Sequence, residues 1–145
     1  MNDLANEFNK IEQWIAPLIK KASISDRRKL ARRIGNQLRA SQSARIRDQK
    51  NPDGTPYLSR KTPSSKRMFD KIRQRPHLRM QSDANSVEVG FRGRASNIAE
   101  IHQGGLSDSP NPSGKKIRYT RRELLGFSEQ DTQNINDLLI EHLTD

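Results

Sequence analysis

The sequence contains no cysteine, few aromatic residues and no long apolar run, and each absence argues against a class of protein. Without cysteine, neither a disulfide framework nor a thiolate metal site can hold the fold together. Without an apolar run of about 18 residues, the chain is not expected to span or enter a membrane. The first residues also lack the basic flank and apolar core of a secretory signal. We therefore expect a fold held together by non-covalent packing. The absence of cysteine fits a protein of a reducing cytoplasm.

Hydrophobic residues are scarce as well. They make up 31% of the 145 residues, and aromatic residues make up 5%. Both fractions are low for a domain that must build its own core. Such a chain either stays partly disordered or completes its structure by packing against copies or partners. Because several segments show regular apolar spacing, we expect the second.

The net charge of +10 is concentrated in the middle of the chain. Residues 20–79 contain 19 Lys and Arg against four acids, a net charge of +15. Residues 1–19 and 80–145 have net charges of −2 and −3. This asymmetry predicts a polyanion or an acidic protein surface as the neighbour of the basic segment.

Apolar spacing predicts an α+β fold in one domain over residues 1–145, and its first part, residues 1–48, is helical. The two N-terminal helices are predicted over residues 3–19 and 25–47, the second capped by Ser23 or Ser25. An exposed loop should follow over residues 49–63, because Asn-Pro-Asp-Gly is a strong turn signal and apolar periodicity is missing there.

The remaining part, residues 64–145, is predicted to hold a small antiparallel sheet with a crossing helix and a C-terminal helix. A capping box formed by Ser128 and Asp131 should start the C-terminal helix. The other predicted elements are a short helix over 64–75, strands at 78–80, 87–91 and 116–119, and a helix over 95–103.

No set of polar residues in the sequence matches a catalytic or metal site. His77, His102 and His142 lack the spacing of metal ligands. The sequence shows no nucleophile turn, no phosphate-binding glycine loop and no carboxylate cluster of the kind that a two-metal nuclease needs. We therefore expect a protein that is not an enzyme and that uses no cofactor.

The basic segment makes nucleic-acid binding the main alternative. Arg28, Arg32 and Arg39 lie on one face of the second predicted helix and are candidates for contact with a polyanion or an acidic surface. Within residues 20–79, however, only Tyr57 and Phe69 could stack on bases. The alternative is thus a small basic nucleic-acid-binding protein, whereas nonspecific contact with DNA fits either function.

Two motifs in the second half are distinctive. Residues 98–105 read IAEIHQGG and residues 121–128 read RRELLGFS, with Tyr119 just before the second motif. Together with PDGTPY at residues 52–57, they resemble the virion morphogenesis, or tail completion, family of contractile-tailed bacteriophages. Gly105 stands where that family often has a larger residue, which predicts a freer loop.

The resemblance implies a structural protein of the virion that completes the tail at its head-proximal end and enables head–tail joining. It implies a homo-oligomeric ring, typically a hexamer, located in the tail and neck of the virion after assembly in the host cytoplasm. Its partners would be copies of itself, other tail and neck proteins, and DNA contacted nonspecifically in the lumen. From their types and positions, His102, Gln103, Arg122 and Glu123 are candidate residues of a subunit or partner interface. Arg122 and Glu123 would pair within or between subunits, and His102 with Gln103 would position the loop.

Overall fold

The computed structural model describes residues 22–109 and 114–144, and these residues form two compact units. The first, called the helical unit, comprises residues 22–41, 80–89 and 127–144. The second, called the basic unit, comprises residues 42–79, 90–109 and 114–126. The prediction of one domain over residues 1–145 stays a prediction.

The described residues contain three helices and four strands, which confirms the predicted α+β class. In chain order they are α1 (Ile24–Arg47), β1 (Leu78–Ser82), β2 (Val87–Phe91), α2 (Arg94–Gly104), β3 (Ser107–Asp108), β4 (Ile117–Arg118) and α3 (Glu129–Thr144). The helix predicted over residues 3–19 lies outside the described residues. Among the described helices, none combines the length and the hydropathy of a membrane-spanning segment.

The strands form two separate two-stranded sheets, so the prediction of one small sheet is wrong in this respect. The strands β1 and β2 pair with each other across the turn at residues 83–86. The strand β4 pairs antiparallel with β3, in the register Ser107 with Arg118 and Asp108 with Ile117. The strand β4 therefore pairs with the residues that follow α2, and it does not add a third strand to the sheet of β1 and β2.

Side-chain caps set where α1 and α3 begin. Ser23 Oγ accepts a hydrogen bond from the backbone N–H of Asp26 at 3.1 Å, so Ser23 caps α1. Ser128 Oγ accepts from the Asp131 N–H at 3.1 Å, and Asp131 Oδ2 accepts from the Ser128 N–H at 3.0 Å. The predicted capping box is therefore confirmed.

The core of the helical unit lies where α1 packs against α3. Its buried members are Leu30, Ile135 and Leu139, and the partly buried side chains around them are Ile34, Leu38, Leu138 and Leu143. These residues follow the helical spacing of three and four, which places them on the facing sides of the two helices.

The basic unit has its own core. Its buried members are Ile46, Tyr57, Ala99 and Leu124, with Met68, Phe69, Ile72 and Phe91 packed against them. Tyr57 is only 6% exposed, so the prediction of an exposed loop over residues 49–63 is wrong at this position. Residues 53–56 and 58–63 are exposed, as predicted.

Residues 64–75 form a series of turns, and the prediction of a helix there is wrong. Phe69 has a φ of 64°, which no right-handed helix accommodates. Gln49 binds the segment instead: its Nε2 donates to the Met68 carbonyl at 2.8 Å, and its Oε1 accepts from the Met68 N–H at 2.9 Å. A side chain from elsewhere in the chain thus supplies bonds that a helix would have supplied internally.

Gly105 ends α2 in the left-handed conformation, with φ 61° and ψ 44°. It is buried, and a Cβ at this position would lie 3.2 Å from the Cβ of Arg121. The expectation of a freer loop is therefore wrong at this residue, because Gly105 lets two segments of the basic unit approach closely.

Candidate functional site

The centre of the basic unit is a short irregular stretch, residues 121–126, which we call the RRELLG segment. It is neither helix nor strand, so its backbone groups find no partners through regular secondary structure. Leu124 at its centre is fully buried, with 0% exposure. Buried backbone amides and carbonyls must be hydrogen-bonded, and here polar side chains from three other segments bind backbone groups of residues 123–126.

Gln103, on α2, makes the densest set of these bonds. Its Oε1 accepts from the N–H groups of Leu124 and Leu125 at 2.8 and 3.0 Å. Its Nε2 donates to the Leu125 carbonyl at 2.8 Å. One carboxamide therefore satisfies three backbone groups and fixes the RRELLG segment to α2.

The C-terminal part of α1 holds the same segment through two side chains. Arg45 donates from Nη1 to the Glu123 carbonyl at 3.2 Å and from Nη2 to the Leu124 carbonyl at 2.8 Å. Gln42 accepts from the Gly126 N–H at 3.1 Å and also from the Arg45 guanidinium. The guanidinium thus neutralises two carbonyl dipoles at once, as its forked geometry allows.

Two residues of the loop after α1 also form hydrogen bonds with the RRELLG segment. Asn51 Oδ1 accepts from the Glu123 N–H at 2.9 Å, and the Tyr57 hydroxyl donates to the Glu123 carbonyl at 2.8 Å. Burial raises the pKa of Tyr57 to about 12, so this phenol remains a donor at any physiological pH. Pro52 packs so closely that a Cβ on Gly126 would lie 2.6 Å from its Cγ.

Arg122 holds the next stretch of the same loop. It is 6% exposed, and its guanidinium donates to the carbonyls of Leu58 and Ser59 at 2.8 and 3.2 Å. Burial, with nearby Arg60, lowers its pKa. Glu123 does not pair with Arg122; its carboxylate contacts Arg121 at 2.7 Å. Both side chains are thus used within the chain, and their role at a subunit interface stays a prediction.

His102 lies between two aromatic rings. Its ring meets Phe69 at a centroid distance of 4.8 Å and Tyr119 at 4.9 Å, both edge to face. Burial, with nearby Arg122, lowers the pKa of His102, which favours the neutral imidazole. Its backbone carbonyl makes a hydrogen bond with the RRELLG segment: it accepts from the Arg122 N–H at 2.8 Å.

These rings line a groove of about 360 Å³, which we call the aromatic groove. Its apolar and aromatic lining residues, which we call its floor, are Met68, Phe69, His102, Ile117 and Tyr119. Its other lining residues are Ser59, Arg60, Lys61, Arg118, Thr120 and Arg122. None of these described lining residues is an Asp or Glu, so the groove suits an occupant with apolar and acidic groups.

The three predicted polyanion contacts lie elsewhere. Arg28 and Arg32 are exposed and Arg39 is half-buried, and all three belong to the helical unit, whereas the lining residues of the aromatic groove belong to the basic unit. The described residues of that unit contain six Lys and Arg against seven acids, whereas those of the basic unit contain 18 against six, a net charge of +12. The excess positive charge is therefore in the basic unit.

Sequence reasoning missed Gln42, Arg45, Asn51 and Tyr57 as parts of the site. Asn51 and Tyr57 flank a strong turn signal and could have been found through it, but Gln42 and Arg45 lie on a helix rich in polar residues and carry no local signal. No three His, Asp or Glu side chains come together as a metal site within residues 22–109 and 114–144.

Known proteins that are similar to this chain support the family resemblance indicated by the two motifs. The sequence profile of the phage virion morphogenesis family matches residues 6–144. The chain is 36% identical over 148 aligned residues to tail completion protein S of Escherichia phage P2, covering 95% of this chain and 98% of that protein. No solved structure shows significant similarity. Since the family match includes every described residue of both units, the chain belongs to the phage virion morphogenesis family.

Proposed function

We propose that this protein completes the tail of a contractile-tailed phage at its head-proximal end and so enables the tail to join a DNA-filled head. It acts as a ring of six copies and without catalysis. It contacts other tail and neck proteins, assembles in the host cytoplasm and remains in the virion at the junction of tail and neck.

One observation carries this proposal: the side chains of Gln103 and Arg122, one from each motif, hydrogen-bond to the backbone of their own chain. Gln103 binds three backbone groups, and Arg122 binds two loop carbonyls. A catalytic site instead needs polar groups directed at a substrate. The use of these side chains fits a building block of fixed shape, and the similarity to a tail completion protein over 95% of the chain supports the same role.

The division of charge supports a ring. The basic unit has a net charge of +12, while the described part of the helical unit has a net charge of −1. Two surfaces of different charge on the same chain favour head-to-tail contacts between copies. Such contacts close into a ring when the rotation from one subunit to the next permits it. The low hydrophobic content of 31% fits a subunit that completes its packing with neighbours.

The test is to supply purified protein to tails that were assembled without it. We expect that tails then join DNA-filled heads, as counted by negative-stain electron microscopy. Tails that join heads equally well without added protein would contradict the proposal.

A second candidate, a small basic nucleic-acid-binding protein, is favoured by the charge of the basic unit. A gel-shift titration over a range of salt concentrations separates the two. A tail completion protein should bind DNA weakly, without sequence preference and with a steep loss of affinity as salt rises. Tight, sequence-selective binding by the monomer would favour the second candidate instead.

A further inference from the structure

We propose that the aromatic groove of one copy receives an acidic stripe on helix α3 of a second copy. The stripe consists of Asp137, Ile140 and Glu141, and its isoleucine would rest on the floor of the groove. The inference rests on the proposed assembly of copies and specifies the surfaces through which they bind.

The groove offers an apolar floor beside positive charge. Ile117, on its floor, is 42% exposed, which is high for an isoleucine in a folded protein. Arg60, Lys61 and Arg118 are exposed lining residues. Arg122 also lines the groove, but its guanidinium is already bonded to two loop carbonyls. The occupant must therefore bring its own carboxylates to the exposed cations and an apolar side chain to the floor.

The stripe on α3 has this chemistry. The helix contains no Lys or Arg along its length, and Asp137, Ile140 and Glu141 are spaced by three and four, so they share a face. All three are exposed, and Ile140 is 37% exposed. Glu141 has one competing contact, with Arg33 at 3.5 Å. Both partners are largely exposed, so this pair is weak enough to be exchanged.

The chemistry of the floor favours a protein surface over DNA. DNA phosphates would pair with the exposed cations of the groove, but they would leave Met68 and Ile117 without an apolar contact. The edge-to-face contacts of His102 with Phe69 and Tyr119 also use ring faces on which bases would stack. A second copy is favoured among proteins because the complementary stripe lies on the same chain, and groove-to-stripe contacts are head-to-tail.

The test uses charge reversal on both sides of the proposed contact. Arg118→Glu and Glu141→Lys are made separately, and self-association at low salt is measured by sedimentation velocity. We expect each variant to associate at least tenfold more weakly than the wild type. An equimolar mixture of the two should recover association, because each contact then joins either the two native residues or the two reversed ones. The control Glu88→Lys, on the exposed part of β2, should associate as the wild type does.

The remaining outcomes separate this inference from the proposed function. If Arg118→Glu and Glu141→Lys assemble normally, the groove-to-stripe contact is wrong, and the copies associate through other surfaces. If Arg118→Glu loses binding to a DNA duplex but still assembles, the groove serves DNA and the inference is overturned. If the wild type assembles through these surfaces yet does not restore head–tail joining, the contact is right and the proposed function fails.

Discussion

At the scale of single residues, the structure gives Gln103 a role that no exposed polar residue could have. Its carboxamide binds three backbone groups of a buried irregular segment. The change Gln103→Ala removes all three bonds at once and leaves those groups unsatisfied. Each lost partner costs on the order of 1 kcal/mol or more, so we expect the free energy of unfolding to fall by about 2–4 kcal/mol in urea denaturation.

The matched control for this change is Gln130→Ala. Gln130 is an exposed residue on α3 whose side chain donates to Asn134 at 2.8 Å. Its loss leaves no buried group unsatisfied, so we expect an effect within about 0.5 kcal/mol. Equal effects of the two substitutions would show that Gln103 does not brace the segment.

Tyr57 supplies a prediction on pH. Burial raises the pKa of its phenol to about 12, against an ordinary value of 10.0. Above pH 10 the unfolded chain releases this proton more readily than the folded chain does, so folding stability falls as the pH rises. We expect the wild type to lose more stability than Tyr57→Phe between about pH 10 and pH 12, measured by urea denaturation at each pH. Parallel losses in both proteins would mean that the phenol is not buried as described.

At the scale of elements, the loop after α1 packs closely against the RRELLG segment. A Cβ on Gly126 would lie 2.6 Å from Pro52 Cγ and 3.1 Å from Pro52 Cβ. The proline ring is rigid and cannot move aside, so Gly126→Ala must displace the loop or the RRELLG segment. We expect a loss of about 1–3 kcal/mol in the free energy of unfolding.

Gly90→Ala is the control for this steric effect. Gly90, in β2, has no atom within 4 Å of the position that a Cβ would occupy, and its φ is not positive. We expect Gly90→Ala to be neutral or slightly stabilising, because alanine restricts the unfolded chain. A Gly126→Ala protein as stable as Gly90→Ala would contradict the close packing of Pro52.

The elements that could be predicted from the sequence are those fixed by local signals. The cap at Ser128 and the apolar spacing along α3 lie within one helix, and both predictions are confirmed. Residues 64–75 could not be predicted, because Gln49 binds the backbone at Met68 from a distant part of the sequence. The partners of a carboxamide are not visible in a sequence when they are backbone groups.

The candidate site was only partly predictable for the same reason. The two motifs indicated His102, Gln103 and Arg122 as important positions, and the structure brings all three together in the basic unit. Gln103 and Arg122 bind backbone carbonyls or amides of their own chain, and their role at a subunit or partner interface stays a prediction. Arg45 was missed, because its acceptors are carbonyls of the RRELLG segment.

At the scale of the whole molecule, the separation of charge should govern assembly. The basic unit has a net charge of +12, and α3 in the helical unit carries acids but no Lys or Arg. Added salt screens contacts between such surfaces, since the screening length falls from about 10 Å at 0.1 M to about 3 Å at 1 M. We expect self-association to weaken at least tenfold over this range in sedimentation velocity. Association that is unchanged or stronger at high salt would indicate an apolar interface.

The proposed role in tail completion is best checked by cryo-electron microscopy of the junction between tail and head in mature particles. We expect a closed ring at the head-proximal end of the tail, formed by six copies of this chain, with the basic unit of each copy against the helical unit of the next. Particles whose heads and tails are joined with no copy of the chain at that position would show that the proposed role is wrong.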